Sequence, residues 1–210
     1  FGALCAAGDR DVVLLTKGPL LTSASYLAQG GVAAAVGKDD SPALHAEDTI
    51  GAARAAARES VVRVLCEESP ARVRDLEAHG VRFDADRHGN LALGLEGGHS
   101  VRRVAHAGGS ATGRRVTREL SALVALDPRV EVRERRRAAA LWVEDGRVAG
   151  LVTDDNATIR ARATILATGG TAALWRRTTN PPGSFGSGLL LARSAGAALA
   201  DLELVQFHPT

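Results

Sequence analysis

The spacing of apolar residues changes several times along the chain, and each change predicts an element. A short apolar run at 11–16 predicts a buried strand. Apolar residues at helical spacing predict helices over 41–57, 60–79 and 112–126, each with a start or stop signal at its ends. Pro70 lies inside the second of these helices and predicts a break or kink there.

The second half of the chain is typical of short strands rather than helices. We predict a β-meander over 130–133, 138–143, 147–153 and 158–162. The apolar run at 163–170 then predicts a buried strand that ends in Thr-Gly-Gly, and a helix follows at 189–195. The mixture of strands and helices predicts an α/β fold.

Both ends of the chain resemble internal positions of a longer protein. Residues 1–8 are typical of the last turns of an alanine-rich helix that ends at a glycine. A helix that leads into a strand usually follows a first strand of the same sheet and a G-x-G-x-x-G turn. Neither that strand nor that turn occurs in this sequence. We therefore expect a piece of a larger protein that is incomplete at its N-terminus.

Composition excludes several classes of function. Net charge is +2 and aromatic residues are 3% of the 210 residues, which is too few for a base-stacking platform, so we expect no nucleic-acid partner. The longest apolar runs fall short of the roughly 20 residues that span a bilayer, so we expect no membrane insertion and a cytoplasmic location. Cys5 and Cys66 have no partner at zinc-site spacing, so we expect no metal.

The segment 95–103 carries the densest set of functional groups in the chain. It places a carboxylate, two glycines, an imidazole, a hydroxyl and two guanidiniums within nine residues. Arginines hold carboxylate or phosphate oxygens well, and glycines allow a ligand close to the backbone. A site for a small charged metabolite and an ordinary surface turn both remain open on this pattern.

Two other segments favour a flat or anionic ligand. Small residues surround Gln29, Gly30 and Gly31, and they leave room for a planar group against the backbone. Ser184–Gly188 begins the late helix, whose free N–H groups can face phosphate or another anion.

Nine short motifs occur in the order found in one flavoprotein family. The chain resembles the flavoprotein subunit family that includes L-aspartate oxidase, succinate dehydrogenase and fumarate reductase. The resemblance covers essentially all 210 residues. The matching segments are 14–18, 23–34, 45–49, 80–84, 96–100, 111–114, 167–170, 179–181 and 206–210.

Two details place the resemblance within the L-aspartate oxidase branch of that family. The position that carries a flavin-linking histidine in the dehydrogenases and fumarate reductases is Ala24 here, and the E-G-G-H-S segment at 96–100 is typical of the oxidases. The resemblance therefore implies non-covalent FAD in a Rossmann-like FAD-binding domain over residues 1–200. It also implies that a substrate-capping domain begins at 201–210.

The resemblance implies oxidation of L-aspartate to iminoaspartate by hydride transfer to FAD, the first step of de novo NAD biosynthesis. Oxygen or fumarate would accept the electrons, and quinolinate synthase is a possible downstream partner. Two alternatives stay open, namely a catalytically inactive fragment of such an enzyme and a fumarate or succinate oxidoreductase. The family's catalytic arginine lies beyond Thr210, so we expect no catalytic residue within this chain and expect the chain alone to be inactive.

The resemblance also implies roles for particular residues. Glu96 would meet the substrate ammonium, and His208 and Gln206 would bind a substrate carboxylate. The division of His99, Arg102, Arg103 and His106 between holding the loop and touching ligand stays open. The residues implied for FAD are Lys17, Ser23, Ser25, Gln29, Gly30, Gly31, Thr168, Gly169 and Ser187.

The chain departs from the family pattern at two of its motifs. Ser187 and Ser110 stand where the family usually has aspartate. The aspartate at the position of Ser187 holds the flavin ribityl chain in the family, so this departure bears on flavin affinity.

Overall fold

A computed structural model describes residues 1–207 as two compact units. The first unit joins residues 1–24 to those from 124 onward, and the second contains residues 25–123. The α-helices are α1 (Gly2–Ala6), α2 (Ala24–Leu27), α3 (Pro42–Ala53), α4 (Glu59–Ala78), α5 (Thr112–Leu126) and α6 (Ser187–Ser194). The strands are β1 (Val12–Thr16), β2 (Val32–Ala33), β3 (Leu93–Gly94), β4 (Val104–Ala105), β5 (Val130–Glu134), β6 (Ala138–Glu144), β7 (Arg147–Thr153) and β8 (Thr158–Arg160).

The first unit contains a parallel pair of strands and a separate antiparallel sheet. Strand β1 pairs in parallel with β5, in a register that runs from Val12 opposite Val130 to Thr16 opposite Glu134. Buried Ala7, together with Val124 and Val130, forms the core beside this pair. The parallel pairing confirms the predicted α/β class.

The predicted four-stranded meander is wrong at its first strand. The antiparallel sheet contains three strands in the order β6, β7, β8, whereas β5 belongs to the parallel pair. Local sequence predicts a strand equally well in both cases, because strand propensity does not specify the partner. Asp145 and Gly146 make the tight turn between β6 and β7 in the left-handed region, with φ of 48° and 72°.

The predicted buried strand at 163–170 is also wrong. The segment has no regular secondary structure, and Ile165 and Leu166 are 71% and 40% exposed. A strand is stabilised by hydrogen bonds to a neighbouring strand. Among the residues that the structure describes, no strand pairs with this segment.

The second unit packs two helices and a small sheet. Helices α3 and α4 enclose a core of Ala46, Val62 and Cys66, with Ile50 packed against it. The sheet has the order β2, β4, β3, and both of its pairings are antiparallel. This sheet carries the E-G-G-H-S segment between β3 and β4.

Helix α4 continues through Pro70 without the predicted break. A proline has no N–H to donate to the carbonyl four residues earlier, which here belongs to Cys66. The Ser69 hydroxyl donates to that carbonyl over 3.1 Å instead. This hydrogen bond supplies the donor that Pro70 lacks, so the helix ends at Ala78 as one element.

Within residues 1–207, no helix is long and apolar enough to cross a membrane. The same part of the chain contains no group of three or more His, Cys, Asp or Glu side chains arranged to hold a metal ion.

Candidate functional site

The E-G-G-H-S segment is the connection between two paired strands. Leu93 and Gly94 of β3 lie opposite Ala105 and Val104 of β4. The N–H of Arg103 donates to the carbonyl of Gly94 over 3.1 Å, which closes the base of the connection. Glu96 is therefore presented on a loop whose two ends are fixed by a sheet.

A buried arginine lies beneath this loop. The Arg103 side chain is completely buried, and its Nε and Nη2 donate to the two oxygens of Asp40 over 2.9 Å each. Its Nη1 donates to Oδ2 of Asp48 on α3 over 2.7 Å. A guanidinium held in such a fork is charged and rigid, because its five donors are fixed in one plane.

Asp48 ties the loop to α3. Its Oδ2 accepts hydrogen bonds of 2.8 Å from both the backbone N–H and the hydroxyl of Ser100. These bonds, with the Ser100 N–H as the largest cause and Arg103 as a further one, lower the pKa of the Asp48 carboxyl. Asp48 therefore stays ionised and holds the Ser100 end of the loop against the helix.

Two histidines complete this buried cluster. Nη1 of Arg103 lies 3.3 Å from Nδ1 of His99, and the rings of His99 and His45 are 5.8 Å apart. Burial, followed by the nearby charge of Arg103, lowers the pKa of His45. The sequence left open whether these residues hold the loop or touch a ligand. In the structure, His99 and Arg103 lie where they support the loop.

Glu96 itself faces outward. Its side chain is 52% exposed, and Oε1 lies 3.5 Å from Nε2 of His106, which is 26% exposed. Two residues further on, Gly98 has a φ of 85°, and a Cβ built there would lie 3.5 Å from the Cβ of Ala52 on α3. The arrangement presents a carboxylate beside an imidazole on a braced loop, which is suited to bind a cation or an ammonium group.

The backbone around His106 is held by Asp84. The N–H of Asp84 donates to the His106 carbonyl over 2.7 Å. The Asp84 carboxylate accepts from the N–H groups of Gly108 and Gly109 over 2.7 and 2.8 Å. Those two bonds, Gly109 first, lower the pKa of Asp84. Both glycines have left-handed φ angles, of 70° and 62°, which direct their N–H groups at one carboxylate.

In the first unit, the Thr-Gly-Gly segment contacts the beginning of α6. The N–H of Gly186 donates to the Gly170 carbonyl over 3.0 Å. A Cβ at Gly188 would lie 1.8 Å from the Thr168 hydroxyl oxygen, so only glycine allows this contact. Ser187 begins α6, ahead of the first helical hydrogen bonds, which Leu189 and Leu190 donate to the Gly186 carbonyl.

The remaining candidates in this unit lie on exposed segments or at a strand end. Gly169 has a φ of 73° and has open space where a Cβ would be. Lys17 directly follows β1, and its Nζ donates to the carbonyl of Gly183. Ser23 lies just before α2 and is partly buried.

The candidates in the second unit divide between open and packed positions. Ser25 and Gln29 are exposed, and a Cβ at Gly30 would meet no atom within 4 Å. A Cβ at Gly31 would lie 2.5 Å from the Ala105 carbonyl oxygen. Gly31 is thus required by the pairing of β2 with β4, whereas the backbone of Gly30 is open to a ligand.

The two carboxylate-binding candidates lie near the end of the chain. Gln206 is exposed, and His208 lies outside the described residues. Nothing in the described residues tests their predicted roles.

Sequence reasoning did not single out Asp40, Asp48 or Asp84 as site residues. Asp48 and Asp84 are parts of family-like motifs, yet their partners lie 52 and 24 residues away along the chain. Asp40 is 63 residues from Arg103 and follows no recognisable motif. The available signal was an arginine directly before the buried strand β4, since an arginine requires an acidic partner when it is buried.

An α/β fold with a glycine turn at the beginning of a helix is typical of the class of proteins that bind a dinucleotide. In the first unit, the open backbone at Gly169 and the N–H groups at the beginning of α6 fit the phosphate groups of such a cofactor. The FAD binding domain family matches residues 2–210, so the chain belongs to that family, whose cofactor is FAD.

Known relatives agree with this assignment. An L-aspartate oxidase of Mesorhizobium japonicum is 46% identical over 205 residues, which cover 96% of this chain and 40% of that protein. A structure of Mycobacterium smegmatis Sdh1 in complex with UQ1 has a TM-score of 0.89 at 30% identity, over 98% of this chain and 37% of that one. For Escherichia coli quinol fumarate reductase FrdA, the TM-score is 0.86 at 26% identity, over 91% of this chain and 34% of that one. The chain thus spans about 40% of the curated relative.

Proposed function

We propose that this chain is part of an FAD-dependent L-aspartate oxidase, which converts L-aspartate to iminoaspartate in the first step of de novo NAD biosynthesis. The observation that carries the proposal is the exposed Glu96 carboxylate on its braced loop. The relative of 46% identity named L-aspartate oxidase supports the same function. A cytoplasmic location, with oxygen or fumarate as electron acceptor and quinolinate synthase as downstream partner, belongs to this proposal.

Glu96 would recognise the amino group of the substrate. L-Aspartate carries one ammonium and two carboxylates, and a dicarboxylate without an amine would be repelled by an anion at the ammonium position. Hydrogen bonds from charged groups are among the stronger contacts in a site. Gln206 and His208 would bind a substrate carboxylate.

FAD, when bound, supplies the chemistry by accepting a hydride from the substrate. The residues that would hold it are Lys17, Ser23, Thr168, Gly169 and Ser187 of the first unit. Those of the second unit are Ser25, Gln29, Gly30 and Gly31. Binding would be non-covalent, because Ala24 offers no nucleophile where the covalent flavoproteins of the family have histidine.

A fumarate or succinate oxidoreductase is the second candidate. The fold similarity to quinol fumarate reductase FrdA favours it. Glu96 and Ala24 favour the oxidase instead. Glu96 would repel a dicarboxylate that has no amine, and Ala24 cannot form the covalent flavin link.

Anaerobic titration of the flavoprotein that carries this chain tests the proposal. L-Aspartate should bleach the visible absorbance of the bound flavin, whereas succinate at the same concentration should not. Bleaching by succinate alone would favour the second candidate, and no bleaching by either compound would contradict both.

A further inference from the structure

We propose that His106 is a positioning residue that orients the Glu96 carboxylate toward the substrate ammonium. The inference rests on the proposed function, in which Glu96 binds the amino group of L-aspartate. It assigns to the imidazole the task of holding one carboxylate oxygen, so that the other is free for the substrate.

The His106 imidazole lies next to the Glu96 carboxylate. Nε2 of His106 lies 3.5 Å from Oε1 of Glu96, and the histidine is the less exposed of the two side chains. Nε2 donates to a carboxylate whenever it carries a proton, which is true of the neutral Nε2–H tautomer and of the imidazolium.

Gly94 on the opposite strand leaves the space that the His106 ring occupies. A Cβ at Gly94 would lie 3.1 Å from Nε2 and 3.5 Å from Cδ2 of His106. The ring therefore packs directly over the backbone of β3, two residues before Glu96. A side chain at position 94 would displace the imidazole from the carboxylate.

Hydrogen bonds on both sides of His106 hold the backbone that carries it. The residue follows β4, and its carbonyl accepts the N–H of Asp84 over 2.7 Å. The next N–H along the chain, that of Ala107, donates to the Thr112 hydroxyl over 3.1 Å. Buried Ala105 and Ala107 flank the histidine. Positioning of one side chain by another requires such a fixed support.

The geometry also explains why Glu96 needs a partner. The carboxylate is half exposed on a loop, and a long side chain in that environment samples several rotamers. Arg103 and Asp48 hold the loop backbone but make no contact with this carboxylate. His106 is the neighbour that the structure places at the carboxylate itself.

The test compares His106→Phe, which keeps a ring without an N–H, with His106→Gln, which restores a donor. His106→Ala serves as a second donor-free variant if the phenylalanine is not accommodated. Each is made in the flavoprotein that carries this chain. His88→Ala is the matched control, because His88 lies in the exposed 86–90 turn and contacts Arg87. KM for L-aspartate is measured together with the dissociation constant of succinate, read from the flavin spectrum.

The donor-free variants should raise the KM for L-aspartate about tenfold, the effect expected for loss of one hydrogen bond, and leave the succinate constant within about twofold. His106→Gln should recover most of the aspartate affinity, and His88→Ala should match the wild type. Combined with Glu96→Gln, the donor-free substitution should add almost nothing, because the two residues act as a unit.

Equal rises in both constants, or no change in either, would overturn the inference, since a merely structural role affects both ligands alike. In one outcome, Glu96→Gln changes the ratio of the KM for L-aspartate to the dissociation constant of succinate while the donor-free variants do not. In that case the role of His106 is wrong and the proposed role of Glu96 stands. If Glu96→Gln leaves the ratio unchanged, the proposed role of Glu96 fails, and the inference fails with it.

Discussion

Arg103 and Asp40 form a buried, two-pronged ion pair in which both hydrogen bonds measure 2.9 Å. Neither side chain is more than 1% exposed. The pair lies under the loop that carries Glu96, and Asp48 connects the same guanidinium to α3. The loop that carries the exposed carboxylate of the candidate site is therefore supported by an ion pair that is buried from solvent.

We expect Asp40→Ala to lower the free energy of unfolding by about 3–5 kcal/mol. The reason is that the substitution leaves Arg103 as a buried cation with one of its two acidic partners removed. Urea denaturation followed by circular dichroism measures the change.

Asp9→Ala provides the comparison for this ion pair. Asp9 pairs with Arg10 over 3.3 Å, but both side chains are more than half exposed. Surface pairs contribute roughly 0–1 kcal/mol, so this variant should unfold almost as the wild type does. A similar loss of unfolding free energy in both variants would contradict the idea that burial makes the Arg103–Asp40 pair the more important one.

Acid should weaken the turn that supports His106. The pKa of Asp84 is lowered in the folded protein by the N–H groups of Gly109 and Gly108. A carboxyl with a lowered folded pKa contributes stability above its unfolded pKa of about 3.9 and loses it as the pH falls through the folded value.

Asp84→Asn should therefore reduce the free energy of unfolding at neutral pH, and the difference from the wild type should shrink below about pH 4. Thermal unfolding of both proteins between neutral and acid pH measures this. The hydrogen bond from the Asn90 N–H also lowers the pKa of Asp86 in the neighbouring turn, but Asp86 does not hold the His106 segment. A constant difference at every pH would rule out the ionised carboxylate as the cause.

Two adjacent glycines should respond differently to alanine. Gly31→Ala should lower the melting temperature, because the new Cβ would lie 2.5 Å from the Ala105 carbonyl oxygen and force β2 away from β4.

Gly30→Ala meets no neighbour within 4 Å and should leave the melting temperature of the flavin-free protein unchanged. If the flavin lies against this backbone, as we propose, the same variant should bind FAD more weakly. Flavin fluorescence quenching measures the affinity. Wild-type affinity in Gly30→Ala would place the cofactor elsewhere.

Glu96→Gln should weaken L-aspartate by about 10- to 100-fold relative to a dicarboxylate that has no amine. A neutral amide keeps the shape of the side chain but loses the charge-assisted bond to the ammonium. The product of kcat/KM for L-aspartate and the inhibition constant of succinate measures the effect, because this product stays constant when both ligands weaken equally. A change of both constants by the same factor would contradict the assigned role.

Helices α3 to α6 could be predicted closely from the sequence, and α5 has its predicted bounds of 112–126, whereas the short helix α2 was not predicted. Strand partners could not be predicted in the same way. Residues 130–134 have strand character in any context, but only the fold pairs them with β1 rather than with β6. The run 163–170 is apolar enough for a buried strand, yet it forms none, because no described strand lies beside it.

The candidate site divides in the same manner. Glu96 was identified from a motif, and His106 and Arg103 were candidates with undecided roles. The structure separates them, because Arg103 is completely buried between two carboxylates whereas His106 lies at the exposed carboxylate of Glu96. Asp40 was not identified, since no short pattern links it to a residue 63 positions away.

By itself, the sequence determined the longer helices, the α/β class and the ordered motifs that resemble a flavoprotein family. These features depend on spacing within a few residues or on motif order, and both are visible along a chain. The tertiary structure alone decided which acids neutralise Arg103, which strand pairs with β1 and which histidine faces Glu96. Such contacts form only when distant segments fold together, because burial makes an arginine bind whichever carboxylates the fold brings to it.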